Sequence, residues 1–369
     1  MRILVSGMVA GEPGQGGASW AVLQYLLGLR RLGHEVVLAE PVERIEPASL
    51  AYLEEVAAAF DLGAVALVAA DGATAPLPRS RLVELAREAD LLLNVSGMLA
   101  DPELLEPIPI RAFLDLDPFF NQHWQLQGAE MGFDAHTHFV TVATAIGEPG
   151  CEVPTLGREW IATLPPVVLE HWPRASEPPS LPFTTVGHWR SYGPIEHEGR
   201  RYGLRAHALR ELIELPERTR AELALALAIH PDESADLEAL ARHGWELLDP
   251  AQLAATPARY GGLIRASAGE LGVAKEGYVR SRSGWFSDRS ACYLASGRPV
   301  VAADTGFGAA LPVGEGLLAF ADVEEAAAAL DSVIARPAEH AAAARAIAED
   351  LLDSDRVLAR LLDALGGSR

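Results

Sequence analysis

Hydrophobic residues in the first third of the chain follow two alternating periods. Short apolar runs predict buried strands, and apolar residues repeated every three or four positions predict helices covered on one face. The predicted strands are 3–6, 35–39, 91–95 and 111–116, and the predicted helices are 18–32, 50–60 and 79–88. Strands that alternate with helices in this way are typical of a parallel sheet with right-handed crossover connections.

A proline-rich stretch interrupts this pattern at about residues 165–182, which indicates a domain boundary. After this stretch the pattern predicts strands at 183–186, 245–248, 270–274, 299–303 and 316–320. It predicts helices near 232–243, 257–268, 287–296 and 322–335, and a helical tail at 338–365. Residues 221–228 fit either a strand or a helix. We therefore predict two doubly wound α/β domains, with a cleft where the carboxyl ends of their sheets meet. The predicted parts are an N-terminal domain (1–170), a linker (171–182), a C-terminal domain (183–345) and a last helix (346–369) able to cross back to the N-terminal domain.

The charge of the chain limits its partners. A net charge of −21 argues against nucleic acid, and it also argues against strong association with an anionic membrane surface. The two cysteines cannot form a disulfide framework, and no run of 18 apolar residues is present. We expect a soluble, cytoplasmic protein, and the sequence leaves its oligomeric state undetermined.

One lysine stands out, because Lys275 is the only lysine among 30 basic residues. A coding bias towards arginine explains this, or the position requires a compact ammonium group. Lys275 leaves a predicted strand and precedes a Ser/Gly turn and the start of a helix. The turn and helix start offer N–H donors to a diphosphate, and Lys275 offers a positive charge. The aromatic pair Trp285 and Phe286 would flank a base or a sugar, and an ordinary crossover is the alternative.

A second glycine turn, with Gly14, Gly16 and Gly17, follows the first strand and opens the first helix. Such a turn lets backbone N–H groups approach an anion. A nicotinamide site would need a further glycine where Ser19 stands, although Glu40 closes the second strand as that site requires. The turn is therefore interpreted as lining the cleft beside a substrate, as a nicotinamide site, or as a flexible crossover.

Several segments resemble GT-B glycosyltransferases. They are the helix-to-strand junction Ala-Ser-Gly-Arg-Pro-Val-Val (295–301), the segment 314–320 that leads into the acidic helix start at 322–325, and the first glycine turn together with 32–36. Segments 91–97 and 281–287 are similar to a bacterial branch described only as glycosyltransferase-like. The resemblance implies two Rossmann-like domains, the first on the acceptor side and the second holding a nucleotide-sugar donor as co-substrate, with no other cofactor.

The resemblance also implies roles for individual residues. Arg190 lies roughly where the fold supplies an arginine that neutralises the leaving diphosphate together with a lysine such as Lys275. Retaining members carry a Glu-x7-Glu pair, but those positions fall on Gly284 and Cys292, which argues against their mechanism. The predicted donor-binding residues are Arg190, Lys275, Ser283, Gly284, Trp285, Phe286, Ser287, Asp288, Asp304, Thr305 and Gly306, with the two aspartates available to sugar or ribose hydroxyls.

Inverting transfer needs a base that deprotonates the acceptor hydroxyl. Asp115 and Asp117 end a predicted strand, and the period of two places both on one face. Asp117 is the preferred base and His123 its substitute, while helix capping is the alternative role. The Asp-x-Asp pair also resembles the metal-binding motif of the other glycosyltransferase fold, but we predict no metal. His136 and His138 lack a third ligand and are interpreted as surface histidines.

The sequence therefore predicts a glycosyltransferase that moves a sugar from a nucleotide-diphosphate-sugar donor to a hydroxyl of a small molecule or glycan, with inversion and without a metal. Three alternatives stay open: an NAD(P)-dependent oxidoreductase, a non-catalytic nucleotide- or carbohydrate-binding protein, and a nucleotide-sugar epimerase of the same fold.

Overall fold

Two separate parallel sheets organise the chain in the computed structural model, which describes residues 1–366. The strands of the first sheet are β1 (Arg2–Ser6), β2 (Glu35–Val42), β3 (Ala64–Ala69), β4 (Thr74–Pro76), β5 (Leu91–Val95), β6 (Ile110–Asp115), β7 (His138–Thr141) and β8 (Trp160–Ala162). Their spatial order is β4-β3-β2-β1-β5-β6-β7-β8, and every pair is parallel except β3 with β4. The order reverses between β1 and β5, which places a switch point there.

Five helices accompany the first sheet in the described part of the chain: α1 (Gly16–Arg31), α2 (Pro47–Ala59), α3 (Arg79–Arg87), α4 (Pro102–Leu105) and α5 (Phe120–Leu126). The predicted strands and helices of this half are confirmed, with ends that differ by a few residues. The apolar strand β3 and the short edge strands β7 and β8 were not predicted.

The second sheet has the order β13-β12-β9-β14-β15-β16 and is parallel throughout. Its strands, with the hairpin β10–β11, are β9 (Leu181–His188), β10 (Ile195–His197), β11 (Arg200–Tyr202), β12 (Leu223–Ala228), β13 (Glu246–Leu247), β14 (Ser267–Gly272), β15 (Val300–Ala303) and β16 (Leu317–Phe320). The ambiguous segment 221–228 forms β12, because it pairs with strands on both sides. The order reverses between β9 and β14, so this sheet has a switch point of its own.

The helices after the linker are α6 (Arg205–Glu211), α7 (Leu215–Arg218), α8 (Ser234–Arg242), α9 (Pro250–Leu253), α10 (Pro257–Ala266), α11 (Glu276–Arg280), α12 (Asp288–Ala295), α13 (Val323–Ala335), α14 (Pro337–Ile347) and α15 (Ser354–Ala364). Short 3-10 turns lie at 133–135, 169–171 and 307–309, and a π-helical turn (Ala348–Leu352) joins α14 to α15. The predicted class, two doubly wound α/β domains, is confirmed.

Contacts between the domains are close and specific. The N–H of Gly16 donates to the carbonyl of Ala254 at 2.9 Å, and the indole of Trp20 donates to Pro257 at 2.9 Å. The last helix, α15, packs on α1, where Gly28 leaves room for Leu358. These contacts set the position of α1, whose N-terminus faces the second domain.

No helix within residues 1–366 is both long and apolar enough to cross a membrane.

Candidate functional site

Two adjoining cavities lie between the domains, near the carboxyl ends of both sheets. The larger has a volume of about 550 Å³, and the smaller has a volume of about 290 Å³. Both are lined by the charged residues Arg205, Lys275, Asp288 and Arg289. Open α/β sheets bind ligands at this edge, where the strand order reverses, so these cavities are the candidate site.

The first domain contributes the start of α1 to the larger cavity. Gly14, Gln15, Gly17 and Ala18 line its wall. No side chain caps this helix, and no acidic residue stands in its first turn. A helix N-terminus carries a partial positive charge and free N–H groups, which attract anions. This wall therefore suits a negatively charged ligand.

Arg205, the first residue of α6, lies on the opposite wall. Its guanidinium donates to the carbonyls of His188, the last residue of β9, at 2.8 Å, and of Val273, which follows β14, at 3.4 Å. Gly187 makes this possible, because a Cβ there would lie 2.6 Å from the Arg205 Nη1. No carboxylate within residues 1–366 forms an ion pair with Arg205. Burial, together with the charge of Arg289, lowers the pKa of Arg205 to about 10, as expected of a cation without a counter-ion.

Arg289 supplies a second guanidinium, from the first turn of α12. Its Nε donates to Glu270 at 2.5 Å, and its Nη1 donates to the carbonyl of Val186 at 3.3 Å. Burial acts to lower the pKa of Arg289, but the combined attractions of Glu270, Tyr260 and Asp288 outweigh it and the pKa lies above its ordinary value. Glu270 thus neutralises Arg289, whereas Arg205 has no ion pair of its own within the described residues.

Lys275 meets the first domain through Asp117. Its ammonium lies 3.0 and 2.9 Å from the two carboxylate oxygens, among the rings of Phe120, Tyr192 and Tyr278 at 4.9, 4.3 and 5.3 Å. Burial lowers the pKa of Lys275, and the charge of Asp117 opposes that change. The predicted donor lysine and the predicted base thus form an ion pair across the domain boundary.

The predicted base, Asp117, lines the smaller cavity. Besides Lys275, its carboxylate accepts hydrogen bonds from the hydroxyls of Tyr192, at 2.5 Å, and Tyr278. The carboxylate of Asp117 is therefore bonded by three donors in this structure. The substitute, His123, lines neither cavity, because its Nδ1 bonds the carbonyl of Phe119 at 2.8 Å.

Asp115 and Asp117 were expected to lie on one face, but the structure places their side chains in different surroundings. Asp115 is fully buried and accepts hydrogen bonds from Asn121, Gln122 and Thr141. Burial raises the pKa of Asp115 to about 6. Asp115 belongs to the core at the end of β6, and only Asp117 reaches the cavity.

Three other residues that were predicted to bind the donor line the cavities. Trp285, Ser287 and Asp288 line the smaller cavity, and Asp288 also lines the larger one. Ser287 caps α12, since its Oγ accepts from the N–H of Arg289 at 3.2 Å. Backbone N–H groups at the start of α12 bond the carboxylate of Asp288, and burial raises its pKa. Asp288 lies in the walls of both cavities, where a ligand could reach it.

The remaining predicted donor residues line neither of the two cavities, namely Arg190, Ser283, Gly284, Phe286, Asp304, Thr305 and Gly306. Arg190 is paired with Glu233 at the surface. The Ser/Gly turn instead packs on the first domain, where Thr144 donates to the carbonyl of Gly284 at 2.8 Å. Thr305 braces that turn from behind by donating to the carbonyl of Trp285 at 2.5 Å.

Glu40, the acidic residue that a nicotinamide site would use, already has hydrogen-bond partners within the first domain. Glu40 is fully buried beneath the first glycine turn, where its carboxylate accepts backbone N–H groups. It lines neither cavity, so it is not placed to bind a ribose. His136 is buried rather than at the surface, with Asn94 3.0 Å from its Nε2.

No protein-family model and no curated protein sequence matches this chain. Solved structures do match it. HepE of Anabaena in complex with UDP-glucose is 15% identical, with a TM-score of 0.59, and the match covers 99% of each chain. The phage T4 alpha-glucosyltransferase in complex with UDP and DNA is 12% identical, with a TM-score of 0.62, and again 99% of each chain is covered. The chain has the GT-B fold.

Sequence reasoning missed the two arginines of this GT-B cleft. Arg205 and Arg289 carried no signal of their own, because nearly every basic residue of the chain is an arginine. The usable signal was indirect: Gly187, with a φ of 144°, lies at the end of β9, where a side chain would collide with Arg205. Trp189 and Tyr260, which also line the larger cavity, were missed for the same lack of a motif.

Proposed function

We propose that this protein is a glycosyltransferase that transfers a sugar from a nucleotide-diphosphate donor held in the interdomain cleft. The observation that carries the proposal is the guanidinium of Arg205, which lines both cavities without a carboxylate partner in the described residues. The start of α1 faces it from the first domain. A diphosphate between these two groups would receive N–H donors from one side and positive charge from the other.

The two cavities suit the two parts of such a donor. We assign the nucleoside to the larger cavity, whose wall includes the largely buried rings of Trp189 and Tyr260. The sugar would then occupy the smaller cavity, beside Trp285 and the carboxylate of Asp288. In this assignment Asp288 accepts hydrogen bonds from sugar hydroxyls. Arg205 and Arg289 stabilise the negative charge that develops on the leaving diphosphate.

UDP is the first nucleotide to test, because HepE and the alpha-glucosyltransferase were solved with UDP or UDP-glucose. The alpha-glucosyltransferase was also solved with DNA. The net charge of −21 argues against a DNA acceptor here, and we propose a small molecule or a glycan instead.

The stereochemical outcome that we propose is inversion, with Asp117 as the base after a ligand has drawn Lys275 away from it. As long as Lys275 and the two tyrosine hydroxyls bond Asp117, these three donors occupy the carboxylate oxygens that an acceptor hydroxyl would have to reach. Proton NMR of the product anomer, with a donor of known configuration, tests this part alone. Retention of the donor configuration would refute Asp117 as the base and leave the assignment of the donor cleft in place.

We expect Arg205→Ala to weaken UDP binding by about ten- to a hundredfold, because a charge-assisted contact to the diphosphate is worth about 1.5–3 kcal/mol. Isothermal titration calorimetry measures the change directly. Arg190→Ala is the matched control, since Arg190 is paired with Glu233 outside both cavities. Equal loss of UDP affinity in both variants, or in neither, would contradict the assignment.

A further inference from the structure

Glu40 is a buried acidic residue that neither cavity uses. It lies on β2, is fully shielded from solvent, and forms no ion pair with any residue of the described chain. Its carboxylate accepts hydrogen bonds from three consecutive backbone N–H groups, those of Val9 at 2.9 Å, Ala10 at 2.9 Å and Gly11 at 2.6 Å. Three convergent amide donors are a binding arrangement for an anion, and here the anion is a side chain of the same domain.

The three amides begin the glycine turn that leads to the larger cavity. The far end of the turn is held by the second domain, through the Gly16 N–H and the carbonyl of Ala254. Residues 12–14 between these two anchors are exposed, and Gly14 and Gln15 line the cavity. The path of the turn therefore depends on its two ends, one of which is Glu40.

We infer that Glu40 is a positioning residue, whose carboxyl group holds the glycine turn in the path that presents the start of α1 to the ligand. The role in ligand binding depends on the proposed function, whereas the hold on the turn does not. Glu40 touches no ligand in this scheme and acts only through the backbone of residues 9–11.

The hold is expected to depend on pH. Burial raises the pKa of Glu40 to about 7, although the three N–H groups oppose that change. The other titratable group facing it is the hydroxyl of Tyr52 on α2, which bonds Ser19 and the carbonyl of Ala255. Because this pKa lies above the ordinary value for a glutamate in water, the buried position favours the protonated carboxyl group. Opening of the turn exposes the group and restores the ordinary pKa, so the turn is held more firmly below about pH 7 and less firmly above it.

Hydrogen exchange of the amides of residues 9–11 tests the hold on the turn without any ligand. At about pH 6, below that pKa, we expect protection about tenfold greater than at about pH 8, after correction for intrinsic exchange, because near pH 6 the closed turn binds a proton that the open, solvated carboxylate does not. In Glu40→Gln, protection should not differ between the two values. Glu43→Gln is the matched control, because Glu43 is exposed just beyond the end of the same strand. Protection in the wild-type protein that does not change with pH would overturn the inference, and this measurement needs no variant to fold.

Titration with UDP-glucose tests the role in ligand binding, because its doubly esterified diphosphate keeps its charge over this pH range. The wild-type protein should bind more tightly at about pH 6 than at about pH 8, whereas Glu40→Gln should bind more weakly and with an affinity that does not change over this range. If the wild-type protein binds UDP-glucose and Glu40→Gln binds it equally well, the positioning role is refuted. If the wild-type protein does not bind it at all, the proposed donor fails instead, and the exchange result still decides whether Glu40 holds the turn.

Discussion

Glu270→Ala is expected to destabilise the protein by about 3–5 kcal/mol, because it leaves the guanidinium of Arg289 buried without its carboxylate. The side chain of Glu270 is 0% exposed, and that of Arg289 is only 10% exposed. Solvent therefore cannot replace the lost partner. One oxygen of Glu270 already lacks a hydrogen-bond partner within the described residues, so the carboxylate is retained for its charge. Unfolding in urea, followed by circular dichroism, measures the loss.

Glu324→Ala is the control for this prediction. Glu324 pairs with Arg218 in the same domain, but their side chains are 67% and 40% exposed. Water solvates both charges after the pair is broken, so we expect a far smaller change. A second variant separates charge from packing: Glu270→Leu combined with Arg289→Met should recover most of the stability while losing UDP affinity. Equal destabilisation by Glu270→Ala and Glu324→Ala would mean that the buried pair contributes no more than a surface pair.

Gly16→Ala is expected to weaken UDP binding by more than tenfold. A Cβ at this position would lie 2.3 Å from the backbone carbon and oxygen of Thr256, and 2.8 Å from the carbonyl oxygen of Ala254. Backbone atoms cannot rotate away as a side chain can, so either α1 or the segment 254–256 must shift. The start of α1 would then move away from Arg205 on the opposite wall. Calorimetric titration with UDP measures the effect.

Gly262→Ala is the control for the glycine substitution. Gly262 lies within α10, and a Cβ there would meet no atom within 4 Å. Alanine is favoured over glycine in a helix, so this variant should gain about 0.5–1 kcal/mol of stability and bind UDP normally. Unchanged UDP affinity in Gly16→Ala would show that the contact between α1 and segment 254–256 does not set the geometry of the cleft.

Gly16 and Glu270 both matter because of residues that are distant along the chain but adjacent in the fold. Gly16 matters because the carbonyl of Ala254 lies against it, and Glu270 matters because α12 brings Arg289 over β14. The walls of the cleft come from two domains, so small displacements of either wall change the distance between its charged groups. Ligand affinity should therefore be more sensitive than stability to changes at the domain contact.

The sequence alone determined the two doubly wound domains and many of the residues at their strand ends. Apolar runs predicted β1, β5 and β15, since a parallel strand is buried on both faces and needs no distant partner to be recognised. Lys275 and Asp288 were found for a related reason, because both follow the carboxyl end of β14, where ligands bind in this class of fold. The strands and the residues after their ends could be predicted because each prediction depends only on residues that are close together along the chain.

Only the tertiary structure decided which charged groups stay available to a ligand. Arg190 looked suitable but pairs with Glu233, while Arg205, 17 residues beyond His188, reaches the ends of two strands and forms no ion pair with a carboxylate among the described residues. The Ser/Gly turn was predicted to hold the diphosphate, yet Thr144, 140 residues earlier, binds its backbone. Whether a charge is neutralised depends on side chains that fold close to it in space, and local periodicity carries no information about them.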